Sequence, residues 1–164
     1  MKTIFLIYIV CLSPSLFAQD LRKSYVQSVL EETLRKSRNP VSNATNEWRY
    51  DNTHDDYFTK DTIVLNSART YRQSYCKTIY WSFYEANKCI INTVPECTEP
   101  PTGLIPKEED YVSVHLIENE QGTFIHLINT KGIRARFRIL ALNRNEPIDN
   151  GLSQFDYDLV LLRM

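Results

Sequence analysis

Residues 71 to 97 constrain this chain more than any other stretch. They run Tyr71-Arg72-Gln73-Ser74-Tyr75-Cys76-Lys77-Thr78-Ile79-Tyr80-Trp81-Ser82-Phe83-Tyr84, then Glu85-Ala86-Asn87-Lys88, then Cys89-Ile90-Ile91-Asn92-Thr93-Val94-Pro95-Glu96-Cys97. Two segments rich in aromatic and β-branched side chains flank a short polar stretch, which is the signature of a β-hairpin. A tight turn over Ala86-Asn87, or a four-residue loop from Glu85 to Lys88, sets one register, in which paired positions sum to 173. Phe83 then faces Ile90, Trp81 faces Asn92, and Cys76 faces Cys97. Successive side chains alternate faces, so the inner face is predicted to carry Ile79, Trp81, Phe83, Ile90 and Val94, with Cys89 pointing out beside Tyr84.

The cysteines matter because the chain reads as exported. Its first eighteen residues hold one cation, Lys2, then the apolar run Ile4 to Cys11, then Ser13-Pro14-Ser15 and Leu16-Phe17-Ala18. That pattern predicts a signal peptide over 1–18, cleaved after Ala18 and too short to stay as a span. Val10 before Cys11 argues against a lipid-attachment cysteine. No second apolar run nears spanning length, so no transmembrane segment is expected, and a periplasmic or secreted location follows. The remaining 146 residues (164 minus 18) suit one domain. They keep Cys76, Cys89 and Cys97, an odd count that implies one bridge and one leftover thiol. The hairpin register selects Cys76–Cys97, worth roughly 3 kcal/mol for a loop of this size. No CxxC pair or nearby histidine supports a zinc site, and no metal or other cofactor is expected.

With Lys2 removed, 18 basic residues face 20 acidic ones, a net charge of minus two. A nucleic-acid partner would want a basic surplus, so none is expected.

In chain order, residues 20–38 read as a helix. Leu21, Tyr25, Val29, Leu30 and Leu34 recur at helical spacing, Asp20 caps the start and Asn39-Pro40 ends it. It reads as a brace on a sheet, with a partner-binding helix as the alternative. Val41 to Thr45 is a linker, and Asn43-Ala44-Thr45 fits the N-glycosylation pattern. A signal peptide (1–18), a helix and linker (19–45) and a β domain (46–164) follow. Eight strands are expected: Glu47–Tyr50, Asp61–Asn66, Tyr71–Tyr84, Cys89–Val94, Tyr111–Ile117, Thr123–Ile128, Ile133–Ile139 and Phe155–Arg163. Mostly short turns join them, so an antiparallel up-and-down barrel is predicted, with closure removing the edges.

This layout resembles the lipocalin-like domains of small exported bacterial proteins. The residues that carry the likeness are Leu16-Phe17-Ala18-Gln19, Trp48 opening the first strand, Lys60 to Leu65, and Cys76 ahead of the aromatic strand to Phe83. Phe137-Arg138-Ile139-Leu140-Ala141-Leu142 and the closing Tyr157 to Arg163 complete it. The chain departs from the pattern by lacking a glycine before Trp48 and by adding an N-terminal helix. The resemblance implies a barrel over about residues 46–163.

Several clusters bear on chemistry. Rings such as Trp48, Trp81, Phe83 and Phe137, with Ile79, either line an apolar ligand cavity or fill a core. Arg134, Arg136 and Arg138 share one strand face. Turned inward, they would take a carboxylate or phosphate; turned outward, Asp156 and Asp158 would supply cross-strand partners. His115 and His126 face each other if paired positions sum to 241, and point to opposite faces if a bulge at Gly122 makes the sum 242. Gly122 favours the second. His54, Asp55, Asp56 and Asp61 read as a polar turn. There is no nucleophile elbow, phosphate loop or HExxH helix, so no catalysis is expected.

The functional expectation is an exported, non-catalytic binding protein holding a small apolar or amphipathic ligand in the barrel. The alternative is an exported interaction protein, an inhibitor or envelope-associated domain, with a filled core and no such ligand. The sequence names no protein partner. A continuous cavity of several hundred cubic ångströms would favour the first, and a filling by Trp48, Trp81, Phe83 and Phe137 the second.

Overall fold

The computed structural model describes residues 21–37, 47–67, 76–97, 105–145 and 156–164. The expected signal peptide, the Asp20 cap, the Asn39-Pro40 stop, the Asn43 triplet and Tyr71–Tyr75 lie outside the described residues. Helix α1 (Lys23–Ser37) precedes strands β1 (Glu47–Asp51), β2 (Thr62–Asn66), β3 (Lys77–Glu85), β4 (Lys88–Pro95), β5 (Tyr111–Asn119), β6 (Gly122–Asn129), β7 (Gly132–Asn145) and β8 (Asp156–Arg163). A one-turn 3₁₀ helix, Glu108–Asp110, leads into β5. The strands close into an eight-stranded barrel in the order β1-β2-β8-β7-β6-β5-β4-β3, every pair antiparallel. The expected mostly-β barrel with one N-terminal helix is what forms. From β3 to β8 the strands run up and down in sequence order; β1 sits between β2 and β3.

Alternation drives the closure. Trp48 and Tyr50 of β1, Ile63 and Leu65 of β2, and Ile79, Trp81 and Phe83 of β3 are buried on one side of their strands. Ile125 and Leu127, Phe137 and Ile139, and Tyr157, Leu159 and Leu161 do the same on β6, β7 and β8. An eight-stranded barrel is just wide enough for such side chains to fill it. Trp48 stands directly opposite Trp81 in the β1–β3 ladder. The Trp81 ring meets Phe137 across the interior at 5.8 Å between centroids. All three are 0% exposed.

Each end is closed by a different device. At one end α1 buries Val26, Val29, Leu30 and Leu34 against the core, with Leu21 and Tyr25 partly covered. The Thr123 hydroxyl donates to Leu21 O, Lys23 N–H donates to Glu118 (2.8 Å), and Tyr157 O–H donates to Glu32 (3.1 Å). Helix α1 is therefore a brace, as its apolar stripe predicts; Val26 joins that stripe unpredicted. At the other end the β1–β2 loop folds in. Asn52 Oδ1 accepts from Tyr57 N–H (2.9 Å), which turns the Tyr57 ring inward, 3% exposed. Tyr57 Oη then accepts from Trp81 Nε1–H at 2.9 Å. Arg163 lies over both the Tyr57 and Phe137 rings, at 5.5 and 4.9 Å. Such stacking adds a cation–π contribution to a partly desolvated site.

Two registers differ from expectation. In the β3–β4 hairpin only Glu85↔Lys88 keeps the expected sum; an irregularity between Phe83 and Glu85 shifts the ladder, so Phe83 faces Cys89 and Trp81 faces Ile91. One extra residue on one strand exchanges which side of its partner faces the core. Cys89 and Ile91 are therefore buried, and Ile90 and Val94 leave the inner face. Cys89, expected to point out, is 0% exposed, and burial raises its thiol pKa. The disulfide is nonetheless Cys76–Cys97, with Cα atoms 4.7 Å apart. Glu96 N–H, one residue earlier, donates to Cys76 O (2.9 Å), so the bridge runs diagonally off the ladder.

In the β5–β6 hairpin, Asn119 pairs with Gly122 and His115 with His126, without the expected bulge. Asn119 Oδ1 accepts from Gln121 N–H at 2.8 Å and holds a two-residue turn. Gly122 supplies φ +124°, open to a residue without Cβ.

Two outcomes test this packing. Trp81→Ala leaves a void and strips Tyr57 of its donor, and is expected to cost about 3–5 kcal/mol in urea unfolding. Replacing both Cys76 and Cys97 by serine is expected to cost about 3 kcal/mol in the same measurement.

Candidate functional site

Inward-facing side chains of the described strands form a continuous buried core. Trp48, Ile79, Trp81, Phe83 and Phe137, each a candidate ligand-lining residue, meet there. Phe83 keeps 6% exposure and the other four 1% or less.

A cleft of about 250 Å³ opens beside this core. The β4–β5 ladder stops at Ile90↔Tyr111, and the Glu108–Asp110 helix stands where the next β5 pairs would lie. Ile79 and Ile91 line the cleft, together with Phe58 and Ile105, which are 60% and 88% exposed. Arg134 contributes the cationic group. It reaches the cleft because β7 is irregular there: Ala135 faces Leu127 and Ile133 faces Ile128, which leaves Arg134 as the extra residue. Arg134 Nη1–H donates to Glu109 O at 2.9 Å and lies 3.7 Å from the Asp110 carboxylate. Glu109 itself bonds Lys131, which holds its carboxyl below the ordinary value.

The same irregularity separates the three arginines. Arg136 and Arg138 stay on the outer face of β7 and are exposed, while Arg134 turns into the cleft and is half-buried. Asp158 does not serve them as a partner; its carboxylate accepts from Asn66 (2.6 Å) and Asn145 (3.0 Å). The side chain of Asp156 lies outside the described residues.

His115 and His126 share the outer face, directly opposite one another, with Arg136 opposite His126 on the next strand. Partial burial chiefly, then Arg136 and His115, lowers the His126 pKa below the ordinary 6.5. The β1–β2 loop scatters its polar groups. His54 and Asp55 are exposed, with Asp55 paired to Lys77. Asp56 accepts from Tyr50 O–H at 2.7 Å, which lowers its own pKa and raises that of the phenol, already raised by burial. Tyr57, buried deeper, is pushed up to about 12. Among the described residues, no three His, Cys, Asp or Glu side chains are grouped to hold a metal. No helix among them is long and apolar enough to cross a membrane.

Sequence reasoning named Arg134 and Ile79 but missed Ile91, Phe58 and Ile105. Ile91 was hidden by the hairpin register, and the other two sit in loops without periodicity.

No protein-family model matches this sequence, and comparison with curated proteins and with solved structures returns no match.

An imidazole with a depressed folded pKa binds fewer protons than the unfolded chain does near pH 6.5. Its stabilising contribution is full above that value and declines as pH falls toward the folded pKa. Titrated by NMR, His126 is expected to show a midpoint below 6.5, and Arg136→Gln to raise it only in part, because burial remains.

Proposed function

We propose that this is an exported, non-catalytic interaction protein of lipocalin-like form, whose barrel is a filled core and whose working surfaces lie outside it. One observation carries the reading: Trp48, Trp81 and Phe137 occupy the barrel axis at 0% exposure. The Cys76–Cys97 disulfide fits an oxidising compartment. The scatter of His54, Asp55 and Asp56 around an ordinary loop favours no acid–base pair.

A second reading keeps a small amphipathic ligand, at the cleft rather than along the axis. Its support is the apolar lining of Ile79 and Ile91 beside Arg134. Its weakness is size: about 250 Å³ falls below the roughly 300–1,000 Å³ of sites that enclose drug-sized ligands.

Fluorescence titration with N-phenyl-1-naphthylamine, and native mass spectrometry of protein purified from its own host, separate the two. The expected result is no saturable one-to-one binding and no retained small molecule. Saturable binding that Ile91→Trp abolishes would move the function to the cleft. Saturable binding that Ile91→Trp leaves intact would return it to the barrel axis.

A further inference from the structure

The two-residue turn of the β5–β6 hairpin sets His115 and His126 directly opposite one another on adjacent strands. Both stand on the outer face. Val114 and Leu116 flank His115, and Ile125 and Leu127 flank His126. Val114, Ile125 and Leu127 are buried and Leu116 packs against the core, so the histidines between them point the other way. Val114 N–H donates to Asn87 O at 2.7 Å, which turns the Val114 backbone toward β4 and the His115 backbone toward β6. His115 and His126 are therefore a hydrogen-bonded pair, a position where Cα atoms lie about 5.5 Å apart. Side chains placed this way start from Cβ atoms about 4.5–5.5 Å apart, within reach of a shared partner.

Among the described residues, neither imidazole makes a hydrogen bond or an ion pair. Partial burial chiefly, then Arg136 and His115, keeps the His126 pKa below 6.5, so near neutral pH its ring is uncharged and carries a free lone pair. Ser113 and Ile117 continue the same face along β5, Phe124 and Ile128 along β6, and Arg136 stands opposite His126 on β7. No carboxylate is among these neighbours, and no group of three metal-ligating side chains occurs among the described residues. Two nitrogen donors are too few for zinc, whose structural sites take four protein ligands and whose catalytic sites take three. Copper(II) binds imidazole most tightly of the divalent series, and its tetragonal sites accept mixed nitrogen and oxygen donors.

We propose that His115 and His126 form a surface chelate for copper(II), each giving one ring nitrogen to the same ion while water fills the remaining positions. A metal takes the neutral ring, so the weak proton affinity of His126 favours uptake near neutral pH. Arg136 opposes the ion by charge, but its side chain is exposed and therefore screened by solvent and salt. The site goes beyond the filled-core reading and does not rest on it.

The test titrates the full, untagged chain with copper(II) in a non-coordinating buffer near neutral pH, followed by calorimetry and by the histidine ring signals in NMR. The chain holds three histidines, and His54, exposed in the β1–β2 loop, is the internal control. Expected are one-to-one binding and broadening of the His115 and His126 signals at sub-stoichiometric copper, with His54 spared. His115→Ala or His126→Ala alone is expected to weaken binding at least about tenfold, because the second imidazole binds intramolecularly. The double variant is expected to lose little beyond either single change, and Arg136→Gln to bind more tightly. Equal broadening of all three histidines, no binding, or unchanged affinity in either alanine variant would overturn the proposal. Retained affinity in the double variant would overturn it too, by placing the copper elsewhere. Circular dichroism checks the fold of each variant, and the NMR result on the unaltered chain stands without them. None of these results bears on the filled core, which the naphthylamine titration decides separately.

Discussion

The layer formed by Trp48, Trp81 and Phe137 is the contact on which the rest depends. Eight strands enclose a bore just wide enough for side chains to fill or for one small ligand to occupy. Two indoles stand opposite each other on β1 and β3, Phe137 reaches across from β7, and all three are 0% exposed. The layer also recruits the β1–β2 loop, because a buried indole N–H left unpaired costs about 1–3 kcal/mol. Trp81 finds its acceptor in Tyr57. That requirement fixes the loop inward, brings Tyr57 under Arg163 and joins the last strand to the plug. One hydrogen bond thus ties the core to the end closure.

Alternation made the faces of most strands legible, and it made Trp48, Trp81 and Phe137 legible as a group. Register was less so, because a single extra residue reverses parity without changing the pattern on its own strand. The irregularity near Tyr84 moved Cys89 and Ile91 into the core, and nothing in Tyr84 or its neighbours marks it. The disulfide prediction nevertheless held, because the bridge reaches diagonally past Glu96, which the shifted ladder sets opposite Cys76, to Cys97. Gly122 misled in the opposite sense. It suggested a bulge, whereas the Asn119 side chain already closes the turn and the glycine only supplies the positive φ. The position of β1 between β2 and β3 was also invisible, since it depends on long-range pairing that no local signal encodes.

The candidate sites follow from these irregularities. Strand β4 pairs with β5 at three positions only, and β1 with β2 at one, so closure is weakest at these two seams. The cleft opens at the first. Arg134 reaches it only because the β7 irregularity lifts that residue out of line with Arg136 and Arg138. Three arginines at alternate positions read as one face; a single added residue makes them one cleft residue and two wall residues. Backbone geometry, not side-chain chemistry, decides which of them meets what.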